Sequence, residues 1–206
     1  MAYLPEPGIL RLRLTAIGKD EKRLRERMQQ KIEILSTYIS EYIYSYKDES
    51  LQEVVFALLK AKGQSLSTAE SCTGGYISHL ITSIAGSSTV FKGGIVAYSN
   101  EIKQKILGVD AQILNAYGAV SEETVRAMAQ GARQNLGSDF SIAVSGIAGP
   151  AGGSLEKPVG TVWIAVANEK ETQSKCFTFG DNRERNIIRA SCAALNMLRL
   201  MLLKTA

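Results

Sequence analysis

From about Ser50 onward the apolar positions switch repeatedly between helical and strand spacing, and each switch marks an element. Leu51, Val54, Val55, Leu58 and Leu59 recur every three or four residues, which predicts a helix over Leu51–Ala61. A short β-type run, Ser65–Ala69, follows and meets a second helix that turns Tyr76, Ile77, Leu80 and Ile81 toward a core. Gly93-Gly94 opens a strand over Ile95–Tyr98, and a short helix, Glu101–Leu107, comes directly after it. Val120-Ser121-Glu122-Glu123 reads as a cap with acidic first-turn residues. It starts a helix whose buried stripe is Val125, Met128, Ala132 and Leu136. Strands at Asp139–Ser145, Val159–Ala167 and Thr172–Phe179 precede a final helix over Arg185–Leu202. Strands separated by helices predict a three-layer α/β/α domain. The late β-β connection across Asn168–Glu171 makes its mainly parallel sheet mixed.

Before residue 50 the pattern differs. Ile9–Leu14 alternates apolar residues with Arg11 and Arg13, as a strand with one wet face does. Leu24, Met28, Ile32, Leu35, Ile39 and Tyr42 then mark an amphipathic helix, and Tyr42–Tyr46 looks β-like. A small β-α-β module over residues 1–49 is therefore expected ahead of the main domain, residues 50–206. Such a unit buries little by itself, and its stripe Leu24–Tyr42 invites packing against the main domain or a second subunit, giving a homo-oligomer such as a dimer.

Charge and cysteine usage narrow the classes. A net charge of +4 from 24 basic and 20 acidic residues permits an anionic ligand but shows no basic stripe of the kind nucleic-acid binders carry. The cluster Lys22, Arg23, Arg25 and Arg27 is interleaved with Glu21, Glu26 and Glu33 and reads as a solvated face. No Gly-x-x-Gly clamp lies in this segment, so specific nucleic-acid binding is not expected. Cys72, Cys176 and Cys192 form no CxxC pair and no metal-ligand spacing, which suits free thiols in a reducing compartment. No apolar run approaches a membrane span and the first residues do not read as a signal peptide. The expectation is a cytoplasmic protein without metal or cofactor.

Three loops stand at strand ends, where ligands of α/β sheets usually bind: after Ala69, after Tyr98 and after Ser145. Ser71, in Ala69-Glu-Ser-Cys-Thr-Gly-Gly75, faces the N–H groups and positive dipole end of the following helix, where an oxyanion can be held. Ser and Thr before a helix also serve as plain N-caps, and that alternative stays open. A serine nucleophile needs a base. The single histidine, His79, lies two turns down the helix and is too far away. Lys103 stands 32 residues after Ser71, one strand–helix–strand unit on, so it can meet Ser71 across adjacent strand ends. A lysine made neutral by desolvation can take the proton, although a lone lysine on a short helix is commonly solvated. Cys72 is the rival nucleophile, with apolar packing as its other use. The loop Ser145–Ser154 holds four glycines and a proline in ten residues, more than a connection needs. It does not open a helix, so it is no dinucleotide fingerprint.

The chain resembles the CinA C-terminal domain family. The resemblance rests on Ala69-Glu-Ser-Cys-Thr-Gly-Gly75, Ala85-Gly-Ser-Ser88, Val96-Ala-Tyr-Ser-Asn100, Gly118-Ala-Val-Ser121, Ser145-Gly-Ile-Ala-Gly-Pro150 and Lys157-Pro-Val-Gly-Thr-Val162, in that order. The opening segment, Tyr3–Ala16, is similar to the KH-type middle module of full-length CinA proteins, where it follows a molybdopterin-binding-like domain. The family includes nicotinamide-nucleotide amidases, which convert nicotinamide mononucleotide to the nicotinate nucleotide and ammonia. The resemblance thus implies a Ser71 nucleophile, a Lys103 general base, and Tyr98 supporting that pair or touching substrate. It also implies Thr73, Gly74 and Gly75 as donors, Ser145 and Gly146 lining a nucleotide pocket, and Arg183 as a basic substrate contact. Asn182 interrupts the Gly-Asp-Arg pattern of the family ahead of Arg183, and Ser145 stands where many relatives carry Thr. Family members are also linked to competence for DNA uptake, so a non-catalytic nucleotide-sensing or scaffold role is the alternative.

Overall fold

The computed structural model describes residues 1–204. These divide into two compact units, Met1–Glu49 and a second beginning at Ser50.

The first unit is β-β-α. Strands β1 (Ala2–Glu6) and β2 (Ile9–Arg13) pair antiparallel across Pro7-Gly8, where Gly8 takes the positive φ of 84° that the tight reversal requires. Helix α1 (Glu21–Ile39) begins at an Asp20 cap whose side chain accepts from Arg23 N. The expected β-α-β order is corrected here. Tyr42–Tyr46 forms no strand: Ser40–Tyr42 is a single 3-10 turn. Tyr46 spends its hydroxyl on Ser36 Oγ, and Ser45 Oγ accepts from Lys47 N and donates to Glu49. Local side-chain bonds outcompete a ladder there, and β2 finds its partner in β1 instead. This order does not show the KH-type module that the resemblance implied. No residue of α1 is buried, as expected of a unit this small.

In the second unit a five-stranded sheet is ordered β4-β3-β5-β6-β7, from β3 (Leu66–Glu70), β4 (Phe91–Val96), β5 (Phe140–Gly146), β6 (Thr161–Ala167) and β7 (Thr172–Thr178). β3 pairs parallel with both β4 and β5, whereas β6 runs antiparallel to β5 and β7. The pairings are thus evenly divided, although only β6 points against the rest. Helices α2 (Leu51–Lys62), α3 (Tyr76–Thr82) and α7 (Arg183–Lys204) pack together on one face. Helices α4 (Asn100–Leu107), α5 (Ala111–Tyr117) and α6 (Glu122–Leu136) cover the other.

The layers follow from the apolar periods. Val125, Met128, Ala129 and Ala132 of α6 are fully buried against the sheet, each large side chain contributing about 1.5–3 kcal/mol of transfer free energy. α5 has no counterpart in the expected elements; seven residues are too few for a periodic stripe to stand out, and Asp110 caps them. Gly93 and Gly94 lie inside β4 rather than before it. A Cβ on Gly94 would overlap Thr68 Oγ1 and Ser78 Oγ, so glycine there permits α3 to lie close on the sheet. Gly131 likewise lets α6 approach the Leu107 carbonyl at the end of α4. Against the expectation that no apolar run approaches a membrane span, α7 is, among the described residues, one helix of 22 residues with an 18-residue window apolar enough by length and composition to cross. Half of that window is buried, including Ala194, Leu195, Leu198 and Met201, as in a core helix.

Candidate active site

Strand β3 lies between β4 and β5 with its carboxyl end beside theirs, and the chain leaves it at Ser71. Beyond the strand ends the ladder continues for one more step on each side. Ala97 N donates to Glu70 O at 2.8 Å, and Ser71 N donates to Val144 O at 2.9 Å. Ser71 is therefore held between two neighbouring strands before its side chain does anything.

Lys103 reaches it from α4. Ser99 caps that helix, its hydroxyl accepting from Ile102 N, and the buried pair Lys103 and Leu107 lies one turn apart on the inner face. Nζ of Lys103 is 3.2 Å from Ser71 Oγ and 2.8 Å from Ala97 O. Its side chain is 1 % exposed, and burial pulls its pKa below the ordinary lysine value, offset only in part by the Cys72 sulfur. Cys72 itself is buried, and the same desolvation pushes its thiol up to about 12. At neutral pH the serine–lysine pair has a route to a neutral amine, whereas the adjacent thiol stays protonated.

A cavity of 290 Å³ opens over this pair. It lies near the lower end of the range for small-molecule sites, about 300–1,000 Å³. Its wall includes Tyr98 from the loop after β4, Asn100 at the start of α4, Ala119 and Val120 before α6, and Ser145–Gly149 at the end of β5 and just beyond it. Arg183, the first residue of α7, completes it: Nη1 donates to Gly149 O at 2.7 Å and Nη2 to the Tyr98 hydroxyl at 3.0 Å. The extra Asn182 does not keep Arg183 away, because Asn182 caps the helix start, its Oδ1 accepting from Arg185 N. The glycine loop, which contains a cis Gly149–Pro150 peptide, is tied down by Asn186. Buried Asn186 donates to Ala148 O and Gly180 O and accepts from Gly180 N.

Six expected site residues thus meet at one cavity: Ser71, Lys103, Tyr98, Ser145, Gly146 and Arg183. Ser145 contributes differently from expectation, since its buried hydroxyl donates to Ala119 O and draws the 118–121 turn against the site. Thr73, Gly74 and Gly75 do not line the cavity. Gly74 and Gly75 have φ of 62° and 96° and turn the chain into α3, while Thr73 is buried. The expectation that the α3 N-terminus holds an oxyanion is overturned. Its N–H groups at Gly75, Ile77 and Ser78 all donate to the Glu70 carboxylate. Sequence reasoning passed over Glu70, Asn100 and Asn186. The first two sit inside the motifs already quoted, and Asn186 offered only a polar residue on an apolar helix face.

Among the described residues no group of three His, Cys, Asp or Glu side chains converges as metal ligands. The family model described as the CinA C-terminal domain matches residues 48–202. A CinA-like protein of Cytophaga hutchinsonii is 44% identical over 202 residues, covering 98% of this chain and 48% of that protein. A putative competence-damage inducible protein of Caldanaerobacter subterraneus is 43% identical over 199 residues, covering 97% of this chain and 48% of that protein. The chain spans about half the length of the curated relatives it matches. Among solved structures, the competence/damage inducible protein CihA of Agrobacterium tumefaciens aligns with a TM-score of 0.72 at 41% identity, covering 74% of this chain and 93% of its own.

Proposed function

The chain belongs to the CinA C-terminal domain family, and from that premise we propose that it is an amidohydrolase that deamidates nicotinamide mononucleotide. The observation that carries this reading is the 3.2 Å contact between Ser71 Oγ and the nitrogen of a buried lysine that has no carboxylate partner in its hydrogen bonds. A cationic lysine at that place would be held by an acid or by solvent; a neutral one is a base.

In the proposed reaction, Ser71 Oγ attacks the carboxamide carbon as Lys103 Nζ takes its proton. The tetrahedral oxyanion falls to the N–H group of Cys72, which lines the cavity and among the described residues donates to no backbone carbonyl. Lys103 then delivers its proton to the departing amine, ammonia leaves and an ester to Ser71 remains. Water attacks that ester while Lys103 accepts its proton. Collapse returns the proton to Ser71 and frees the carboxylate product. With Lys103 neutral, the cavity wall bears the cation of Arg183 and no carboxylate, which supports an anionic substrate. Arg183 uses two donors on Gly149 and Tyr98, leaving others on its guanidinium for a phosphate.

Ammonia release from nicotinamide mononucleotide by the purified protein tests this directly. Stoichiometric release that disappears in Ser71→Ala is the expected result. Nucleotide binding without release would favour the sensing role instead. Cytoplasmic location and a homodimer accompany this proposal.

A further inference from the structure

Glu70 is the acidic residue of the Ser71 heptapeptide, and the reaction just described leaves it without a role. It has no exposed surface. One carboxylate oxygen accepts from Gly75 N at 3.1 Å and Ile77 N at 3.0 Å. The other accepts from Ser78 N at 2.8 Å and Ser78 Oγ at 2.7 Å. Because Ser78 gives its only hydroxyl proton to Glu70, Thr68 must be the donor in the 2.7 Å contact between Thr68 Oγ1 and Ser78 Oγ. Gly94 leaves the space that these two hydroxyls fill.

A buried carboxylate is costly unless its oxygens are satisfied, and four donors offset that cost here. A cap alone would not need it. Helices α2, α4, α5 and α6 are each capped by the side chain of the residue just before them: Ser50, Ser99, Asp110 and Ser121. Helix α3 starts at a bare glycine and takes its acceptor from five residues upstream, on the strand that delivers the nucleophile. Glu70 also accepts Ala97 N on its backbone carbonyl. Its main chain therefore anchors the entry of the Ser71–Gly74 turn, and its side chain anchors the exit.

We propose that Glu70 is a positioning residue that closes this turn on itself and so holds Ser71 Oγ against Lys103. The proposal rests on the reading of Ser71 as nucleophile. It also explains why the α3 N-terminus is closed to substrate: that place is already taken by the carboxylate.

The test uses the full chain and a small fluorophosphonate. Ser71 Oγ displaces fluoride from phosphorus, its proton passes to Lys103, and intact mass reports the adduct with time. Glu70→Gln keeps the volume but sets amide hydrogens against amide donors. Labelling of Ser71 is expected to slow about a hundredfold, the usual cost of a small misplacement of a reacting group. In amide hydrolysis kcat should fall by a similar factor while KM stays within about twofold, since Glu70 does not touch the cavity. An unchanged labelling rate in the folded variant, or a rise in KM alone, would overturn the proposal. If Glu70→Gln does not fold, Ser78→Ala removes one donor to the carboxylate. Slowing of about tenfold, the worth of one hydrogen bond to a charged group, is then expected, and an unchanged rate overturns the idea. Labelling that depends on Glu70 in a protein that releases no ammonia would sink the amidase reading and leave this one standing. Failure of the wild-type protein to label at Ser71 would overturn both.

Discussion

Lys103 Nζ lies 3.2 Å from Ser71 Oγ, and its other hydrogen bond, at 2.8 Å, goes to the Ala97 carbonyl. Neither partner carries a formal charge, so no counter-ion in direct contact stabilises an ammonium. Desolvation sets the direction and lowers the lysine pKa. The base form is therefore gained as pH rises through a value below the ordinary lysine pKa of about 10.4.

The rate should follow that titration. Activity, measured as ammonia release across pH, is expected to be low in acid and to climb to a plateau reached before the ordinary lysine range. Lys103→Arg keeps a cation that cannot deprotonate usefully, and it should lose at least about a hundredfold in kcat, the low end of a general base's contribution. Retained turnover in the arginine variant would show that position 103 only attracts substrate.

The two neighbours in the nucleophile turn should separate cleanly. Ser71→Ala removes the covalent route without opening a core cavity and should abolish turnover while the thermal unfolding midpoint stays put. Cys72, with its thiol raised to about 12, should resist alkylation by iodoacetamide at neutral pH. Cys72→Ala should keep most of the activity and lose about 1 kcal/mol of stability from lost packing. An inactive but folded Cys72→Ala, with an active Ser71→Ala, would reverse the assignment.

Arg183 should discriminate by phosphate. Replacing it with Ala removes the cation that bridges Gly149 O and Tyr98 Oη. For nicotinamide mononucleotide, KM is expected to rise about 10- to 100-fold, as one or two charge-assisted bonds would give. For the riboside, which lacks the phosphate, kcat/KM should change far less. Equal losses on both substrates would mean that Arg183 serves the loop rather than the phosphate.

The first unit should be dispensable for chemistry. A protein beginning at Ser50 is expected to fold and retain turnover, because every cavity residue lies in the second unit. The full chain should bind DNA or RNA only weakly, with affinity falling steeply between low and physiological salt. Lost turnover on truncation would give Met1–Glu49 a part in building the site.

Much of the site could be read from residue order. The 32-residue interval from Ser71 to Lys103 spans one strand–helix–strand unit, and such a unit returns the chain to the same sheet edge. Glycines and caps likewise announced the loops after β3, β4 and β5. The first unit was misread because alternating tyrosines at Tyr42–Tyr46 carry strand propensity, and propensity yields to whichever partner the backbone finds. The Ala2–Glu6 strand, with Pro5 within it, lacked that signal and yet supplied the partner.

Sequence by itself determined the α and β periods, the family, and the serine and lysine that meet, because these depend on spacing along one chain. Tertiary structure alone decided the electrostatics. It placed Glu70, not substrate, on the α3 N-terminus and gave Ser145 Oγ to Ala119 O. It also swung Arg183 from the far end of the domain onto Tyr98, 85 residues away in the chain. A hydrogen-bond donor is committed by whichever acceptor lies within about 3 Å of it in space. That choice is made when the layers close.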